Sequence, residues 1–418
     1  MAFEREPLAE RFRAVRGTTE RLCRPLAPDD YQIQAVVEVS PTKWHLAHVT
    51  WFFETFVLGA FASGYRPFDP RFTGLFNSYY ETVGRFHPRA TRHVLSRPTV
   101  EQVYLYRSHV DQALQALIPD VPEDRWDEFS TRLTLGLNHE QQHQELLLTD
   151  IKRNFSANPL FPAYAEAPPR EAPAEAAPLR WIDGHGGMHE IGHAGSGFSF
   201  DNEKPRHRMF LEDYRLGSRL VINGEFLEFV REGGYEDARL WLSDGWHVAQ
   251  EEKWKAPQYW ELIEGQWSEM TLHGLRPLRL QEPVSHVSYY EADAFARWRG
   301  GRLPSEAELE VAVAGKAITG NFLEIGLLHA RPAADANDGQ WYGDLWEWTR
   351  TPYGPYPGFR PLDGALGEYN GKFMANQFVL RGGCCVTPRS HMRATYRNFY
   401  YPRDRWPFTG IRLAADAD

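Results

Sequence analysis

Apolar residues recur at three- and four-residue intervals in four stretches of the N-terminal part of the chain. The stretches are Leu8–Leu22, Trp44–Phe61, Val100–Leu117 and Trp126–Ile151. This spacing places the apolar side chains on one face of a helix. We therefore expect four amphipathic helices packed as a bundle. Ser40 and Pro41 are expected to be the N-cap and first residue of the second helix.

Beyond the four stretches the composition changes. Residues 161–179 are rich in Pro and Ala and have no periodic face, which is typical of a linker. From residue 180 onward the segments are short and rich in Gly and Trp. The sequence therefore predicts a two-domain α+β protein, with a helical bundle over 1–160, a linker over 161–179 and an α+β domain over 180–418. Helices in the second domain are expected at Asn223–Glu232, at Tyr289–Arg299 and from about Ser305 onward.

Charge and composition exclude several classes of function. A net charge of −10 argues against a general nucleic-acid binder, which needs a basic face. The three cysteines, Cys23, Cys384 and Cys385, form no CxxC motif and so predict neither a disulfide framework nor a thiolate zinc site. No run approaches the length of about 18 apolar residues that a membrane span needs, and the first residues lack a signal peptide's apolar core. We expect a cytoplasmic protein that contacts neither nucleic acid nor membrane, with its oligomeric state left open.

The segment from Asn138 to Glu145 reads NHEQQHQE and carries the strongest chemical signal. His139 and His143 are four residues apart, so a helix presents both imidazoles on one face. An earlier predicted helix carries His45 and His48, of which we expect His48 to point into the bundle and the other to point elsewhere. Three histidines that leave coordination positions open suit an iron(II) ion that binds substrate and O₂ together.

Two other interpretations of these histidines stay open at this point. The letters HEQQH also match the HExxH motif of zinc hydrolases, with Glu140 as the base. A pair of hydrogen-bonded or solvent-exposed histidines on a polar helix would need no metal at all.

The motifs resemble those of a known family. SPTKWHLAH and NHEQQHQE resemble the DinB-like bundle of the sulfoxide synthases of ergothioneine biosynthesis, the hercynine oxygenases. GRLPSEAELEVAVAG, GDLWEWTRTPYGPYPGF and VLRGGCCVTPRSHMRATYRN resemble the formylglycine-generating-enzyme-like fold, which is C-type-lectin-like. The resemblance covers nearly the whole chain and implies a DinB-like four-helix bundle that binds Fe(II) through His48, His139 and His143. Glu145 is then expected to support the site without binding the metal.

The resemblance also implies a reaction and the residues that bind its substrates. The family uses O₂ to join a thiol sulfur to the imidazole of hercynine, N-α-trimethylhistidine, and the product is a sulfoxide. A trimethylammonium group requires aromatic faces, and a carboxylate suits guanidinium groups. By the resemblance, Asn398, Phe399 and Tyr400 hold the trimethylammonium end, Gln142 contacts the imidazole, and Arg89 and Arg92 bind the carboxylate of the sulfur donor.

NSYYE, which contains Tyr79 and Tyr80, resembles the branch of the family that uses L-cysteine. In that branch an adjacent tyrosine pair acts near the iron as proton or hydrogen donor. The alternatives are γ-glutamylcysteine as the donor, an ovothiol-type synthase that uses unmethylated histidine, and a binding module without catalysis. Thr387 and Met392 stand where formylglycine-generating enzymes have copper-binding cysteines, so we expect the second domain to be a scaffold and substrate pocket.

Overall fold

The computed structural model describes residues 2–168, 175–334 and 339–417. The chain forms two compact units. The first comprises Met1–Leu160 and Leu362–Tyr369, and the second comprises Phe161–Pro361 and Asn370–Asp418. Of the segment predicted as a linker, residues 169–174 lie outside the described residues, and the described remainder contains neither helix nor strand.

The first unit is helical, and the four long helices predicted from the apolar spacing are confirmed. The second helix continues through a π-helical turn, Glu54–Leu58, into the short third helix. The helices are α1 Ala2–Cys23, α2 Thr42–Phe53, α3 Gly59–Phe61, α4 Phe72–Phe76, α5 Val100–Asp120 and α6 Trp126–Ser156.

The start of α2 differs from the prediction by one residue. The N-cap is Pro41 and no side chain caps the first turn, so the assignment of Ser40 as the cap is wrong. The polar groups of Ser40 bond to other segments of the unit. Its backbone N–H donates to Asp150 on α6 at 2.8 Å, and its hydroxyl accepts from Arg92 at 2.8 Å. Ser40 therefore ties the start of α2 to its neighbours.

A buried carboxylate joins three helices of the bundle. Glu140 on α6 accepts hydrogen bonds from Arg16 and Thr19 on α1, at 2.9 and 2.7 Å, and from Arg107 on α5 at 3.1 Å. Glu140, Arg16 and Arg107 are buried. Burial alone would raise the pKa of Glu140, but the two guanidinium groups lower it to about 2. The carboxylate therefore stays charged and fixes the rotation of α6 relative to α1 and α5.

The α6 helix also approaches α2 closely at Gly136, one turn before Glu140. At Gly136 a Cβ atom would lie 2.5 Å from a ring carbon of Phe53, so only glycine fits there without displacing the ring. Phe52 and Phe53 are fully buried in this contact region. The small residue lets the polar face of α6 that carries His139 lie directly against α2.

The second unit contains short, mostly antiparallel sheets and four α-helices among its described residues, which confirms the α+β fold class. The strands are β1 Trp181–Gly184, β2 Gly187–Ile191, β3 His207–Leu211, β4 Tyr214–Gly217, β5 Trp260–Ile263, β6 Gln266–Thr271, β7 Gly274–Pro277, β8 Trp346–Pro352, β9 Phe378–Arg381, β10 Asn398–Tyr400, β11 Thr409–Gly410 and β12 Ala414–Asp416. One sheet has the order β1–β4–β12, another has β10–β9–β8–β11, and the remaining strands form the pair β2–β3 and the meander β5–β6–β7. The strand β11 pairs with β8 in parallel, and the other pairs are antiparallel.

The helices of the second unit are α7 Asn223–Arg231, α8 Ser243–Glu251, α9 Tyr289–Trp298 and α10 Glu306–Ala312. Three of them occur where the sequence predicts a helix. The helix α8 was not predicted, because Gly245 and Trp246 in a short polar segment obscure the apolar spacing. Ser288 and Ser305 cap α9 and α10 by accepting from the backbone N–H three residues later.

Among the described residues, no helix has the length and apolar character that spanning a bilayer requires.

The Glu140 cluster yields a stability prediction. We expect Glu140→Ala to lower the free energy of unfolding by about 3–5 kcal/mol, because it leaves two buried cations without their partner. The folded-state pKa of Glu140 lies below its ordinary value of 4.5, so its contribution is present above pH 4.5 and is lost as the pH falls towards 2. Urea unfolding of the wild type and the variant across this pH range measures both effects.

The matched control is Glu128→Ala, which removes an exposed ion pair with Arg132 on the same helix. Exposed pairs contribute about 0–1 kcal/mol, so this variant should unfold almost as the wild type does. Equal destabilisation by the two substitutions would contradict the role given to Glu140.

Candidate metal centre and substrate-binding residues

Three histidines meet in the first unit. His48 comes from α2, and His139 and His143 come from successive turns of α6. One ring nitrogen of each lies within 4.8 Å of the others, a separation that a single metal ion can bridge. His48 and His139 are buried, and His143 is 9% exposed. The structure therefore brings together the three residues that the sequence predicts as ligands.

The hydrogen bonds of the three rings leave nitrogen lone pairs for a metal. The Nδ1 of His48 lies 2.6 Å from the carbonyl oxygen of Phe76, so this nitrogen carries the proton and Nε2 is free to bind. The Nδ1 of His139 is buried and has no hydrogen-bond partner in the described part of the chain. An orphaned buried ring nitrogen is costly unless something binds it, which fits a bound metal ion.

The surroundings keep the imidazoles neutral, as metal ligation requires. Burial is the largest cause and lowers the pKa of His139 to about 3. Burial also holds the pKa values of His48 and His143 well below their ordinary value, and the neighbouring imidazoles add to the effect. The ring of His48 is stacked between Trp44 and Trp51, with centroid distances of 4.5 and 5.5 Å, which fixes its orientation.

His45 does not point away from the bundle, so the expectation that only one of His45 and His48 faces inward is wrong. His45 is 3% exposed, and its Nδ1 lies 2.8 Å from the Nδ1 of His143. The two histidines are three residues apart on one helix, close enough to share a face. Each has a polar partner in the interior: His45 is bonded to His143 and Asp150 of α6, and His48 is bonded to the backbone carbonyl of Phe76.

Glu140 faces away from the three histidines. Both of its carboxylate oxygens bond to the arginines and the threonine of α1 and α5 described above. A general base must reach the proton that it abstracts, and this carboxylate is fully engaged elsewhere. The geometry therefore disfavours the zinc-hydrolase interpretation of HEQQH, in which Glu140 is the base.

Tyr369 packs on one of the three histidines, and Tyr79 and Tyr80 are linked to the site through neighbouring aromatic rings. Tyr79 and Tyr80 are stacked on each other at 4.6 Å, and Tyr80 also packs on Trp51 at 5.5 Å. Tyr369, which the sequence analysis did not predict, lies 5.5 Å from the His139 ring, and its hydroxyl donates to Oε1 of Gln142. Tyr369 is far from the other site residues in sequence, so the helical pattern gives no signal for it.

A carboxylate links the two tyrosine-bearing segments of the first unit. Glu368, next to Tyr369, accepts from the backbone N–H groups of Glu81 and Thr82, each at 3.0 Å, and from the Thr82 hydroxyl at 2.6 Å. The loop that carries Tyr79 and Tyr80 is therefore held against the segment that carries Tyr369.

Arg92 is a buried cation whose charge is only partly offset, by the more distant carboxylate of Asp150. It is 1% exposed, and its guanidinium lies 3.3 Å over the ring of Trp44 and donates to the hydroxyls of Ser40 and Ser78. Among the described residues no carboxylate forms a salt bridge with it, and its Nε is buried without a partner. Burial, followed by the repulsion of Arg89, lowers its pKa to about 8. Arg89 itself is exposed, so only Arg92 forms part of the interior.

The predicted trimethylammonium-binding residues form β10 in the second unit. All three are half-buried. Because side chains alternate along a strand, Asn398 and Tyr400 share one face and Phe399 points to the other. The ring of Phe399 stacks on Tyr353 at 4.1 Å, and Tyr400 packs against Trp406 at 5.9 Å. Phe399 therefore contributes to the packing of this unit.

A second group of possible metal ligands occurs in the second unit, formed by Glu269, Glu282 and His329. Arg276 lies among them, with one nitrogen 2.7 Å from Glu269 and 2.6 Å from the His329 ring and also bonded to Glu282. Two guanidinium groups, those of Arg276 and Arg279, already pair with these carboxylates, so we assign the group as a buried ion-pair cluster.

Comparisons with known proteins agree with both units. The model of the DinB superfamily matches residues 11–195, and that of the sulfatase-modifying factor enzyme 1-like domain matches residues 173–337 and 338–417. A DinB-type bundle that carries a buried three-histidine face, followed by such a domain, defines the class of this protein.

Three relatives refine this class. "Hercynine oxygenase" of Mycolicibacterium thermoresistibile is 30% identical and covers 98% of this chain and 95% of its own. "Hercynine oxygenase" of Mycobacterium tuberculosis is 31% identical over 90% of this chain and 91% of its own. "Ergothioneine biosynthesis protein 1" of Schizosaccharomyces pombe is 28% identical over 52% of this chain and 27% of its own. The chain belongs to the hercynine oxygenase family, and it is an oxygenase.

The buried charge of Arg92 leads us to predict that its removal stabilises the folded protein. We expect Arg92→Met to raise the free energy of unfolding of the metal-free protein by about 1–3 kcal/mol, because a desolvated cation is replaced by an apolar side chain. Thermal and urea unfolding without added ligand measure the change.

The control is Arg107→Met, which removes an equally buried guanidinium that is paired with Glu140. That substitution leaves a buried carboxylate short of a partner and should destabilise the protein by about 3–5 kcal/mol. Destabilisation of similar size in both variants would show that Arg92 is a structural cation.

Proposed function

We propose that this protein is an O₂-dependent, non-haem iron(II) sulfoxide synthase that joins the sulfur of L-cysteine to the imidazole of hercynine. The observation that carries the proposal is the buried meeting of His48, His139 and His143 as neutral imidazoles. Its relatives named hercynine oxygenase support the choice of hercynine, and the yeast relative supports a role in ergothioneine biosynthesis.

The proposed reaction balances with O₂ as the sole oxidant. The imidazole C–H and the thiol S–H are replaced by a C–S bond, one oxygen atom of O₂ enters the sulfoxide, and the other leaves as water with the two hydrogens. When bound to the three histidines, iron(II) would supply O₂ activation and would favour the thiolate form of the sulfur donor.

Arg92 supports an anionic sulfur donor. A buried guanidinium without a salt bridge is best stabilised by a carboxylate, and a free amino acid brings one. Arg92 stacks on Trp44, whose other neighbour in the stack is the ligand His48, so the cation lies near the metal. We propose that Arg92 binds the α-carboxylate of cysteine and that exposed Arg89 assists. γ-Glutamylcysteine, which has a second carboxylate, is the alternative donor.

The residues that bind hercynine are assigned from the chemistry of their side chains. We propose that Gln142 contacts the imidazole and that Asn398, Phe399 and Tyr400 hold the trimethylammonium group. A trimethylammonium group donates no hydrogen bonds and favours aromatic faces, and β10 offers two aromatic residues, an amide and no carboxylate. Unmethylated histidine has an ammonium group that calls for hydrogen-bond acceptors, so this strand suits hercynine better.

The tyrosines are proposed as the source of the proton or hydrogen that directs the reaction to the sulfoxide. The pKa of Tyr80 is raised well above its ordinary value, by burial first and by Tyr79 and Tyr369 next, so its hydroxyl keeps the proton. We propose Tyr79 and Tyr80 for this role, as in the cysteine-using branch. Tyr369 is the competing candidate because its ring lies against the ligand His139.

The test of the function is reconstitution of the metal-free protein with Fe(II), hercynine and either thiol without oxygen. On admission of O₂, mass spectrometry should show a C–S-bonded sulfoxide with cysteine that carries one oxygen atom from labelled O₂. Zn(II) in place of Fe(II), or the His48→Ala variant, should give none. If neither thiol gives an O₂-dependent C–S product, the proposal is wrong. If unmethylated histidine is the preferred substrate, the ovothiol-type reaction is favoured.

The role proposed for the tyrosines is tested by measuring the ratio of sulfoxide to cysteine sulfinate among the products. We expect the Tyr79→Phe/Tyr80→Phe double variant to lose roughly 10²–10⁴-fold in sulfoxide formation and to oxidise cysteine to its sulfinate, since proton donors contribute about that much. Tyr369→Phe is the comparison variant. If it alone diverts cysteine to the sulfinate while the double variant still forms sulfoxide, the role belongs to Tyr369.

A further inference from the structure

A chain of hydrogen bonds leads from one of the three candidate ligands to a buried carboxylate. The Nδ1 atoms of His143 and His45 are 2.8 Å apart, and the Nε2 of His45 lies 2.9 Å from Oδ2 of Asp150. The backbone N–H of Ser40 donates to the same oxygen at 2.8 Å. His45 and Asp150 are 3% and 5% exposed, so water does not compete for these bonds.

The direction of each bond follows from the chemistry of its ends. A carboxylate oxygen accepts, so the proton between Asp150 and His45 sits on the Nε2 of His45. When the remaining nitrogen of His45, Nδ1, acts as the acceptor, the proton between the two imidazoles sits on the Nδ1 of His143. His143 is left with its lone pair on Nε2. The opposite direction would place the proton on Nε2 and remove His143 from the metal.

The other two candidate ligands lack such a chain. His48 donates to a neutral backbone carbonyl, that of Phe76. The buried Nδ1 of His139 has no partner among the residues that the structure describes. His143 is therefore the one ligand of the three whose far nitrogen is connected to a carboxylate in the described structure.

We propose that His45 and Asp150 are positioning residues for the metal centre, which hold His143 in the Nδ1–H tautomer with Nε2 aimed at the metal. The inference rests on the iron site of the proposed function. Hydrogen bonding of a ligand imidazole to a carboxylate, here through a second imidazole, also strengthens it as an electron donor. His45 and Asp150 thus act on the reaction only through His143.

Two substitutions of His45 distinguish an effect on the tautomer of His143 from an effect on packing. His45→Asn can place an amide oxygen where Nδ1 was, so the proton of His143 keeps its acceptor although the link to Asp150 is lost. His45→Leu removes the acceptor. Asp150→Asn keeps an acceptor for His45 but removes the charge. The control is Tyr106→Phe, which deletes a buried 2.6 Å hydrogen bond to Glu54 elsewhere in the bundle.

The measurement is metal binding by the full-length, metal-free protein, without substrate or turnover. Fe(II) is titrated anaerobically, and Co(II) is used as a probe whose visible absorption reports the ligand field. We expect His45→Leu to bind metal about 10–100-fold more weakly than the wild type, the loss typical of such partners. His45→Asn should stay within a few-fold of the wild type, and Asp150→Asn should fall between. The Co(II) bands should shift in His45→Leu and Asp150→Asn.

Unfolding midpoints of the metal-free variants provide the structural comparison. Tyr106→Phe should unfold more easily and bind metal like the wild type. If His45→Leu and Asp150→Asn bind Fe(II) as tightly as the wild type, the positioning role is overturned and the proposed function stands. Equal losses in folded His45→Asn and His45→Leu would overturn the tautomer argument. A wild-type protein that binds neither Fe(II) nor Co(II) would overturn the metal centre itself.

Discussion

The buried ion cluster around Glu140 is the interaction on which the first unit depends. The residue lies next to His139 in sequence, so it points about 100° away around the α-helix. Arg16 and Arg107 hold its carboxylate towards α1 and α5. With α6 fixed in this rotation, His139 and His143 point towards α2, where His48 lies. A structural salt bridge thus determines where the candidate ligands meet.

The interior of this unit holds charges of two kinds. Glu140 with Arg16 and Arg107 forms a set whose charges compensate one another, so it contributes rigidity. Arg92 forms no salt bridge among the described residues, and the three histidines beside it are kept neutral by burial. The candidate ligands therefore carry no negative charge, and the carboxylate connected to them, Asp150, is bonded to His45. A metal ion with three neutral ligands and a nearby guanidinium favours anionic partners, which a thiolate and a carboxylate both supply.

The sequence predicted best what depends on local spacing. The four long helices follow from apolar periodicity, and the meeting of His139 and His143 follows from a four-residue interval on one of them. Other features depend on long-range contacts that spacing does not encode. HEQQH suggested a base at Glu140, but distant arginines engage it, and His45 is buried because Asp150 lies opposite. The helix α8 was missed because its Gly and Trp content hides the helical pattern.

The segment Leu362–Tyr369 shows most clearly why residue spacing within the helices could not predict every residue of the candidate site. It follows most of the second unit in sequence, yet it packs with the helical unit. There Glu368 holds the loop of Tyr79 and Tyr80, and Tyr369 bonds to Gln142, the neighbour of His143. The helices α2 and α6 supply the candidate ligands, but they do not supply the third phenol. The phenol beside His139 therefore comes from a segment that is distant in sequence from the helices carrying the candidate ligands.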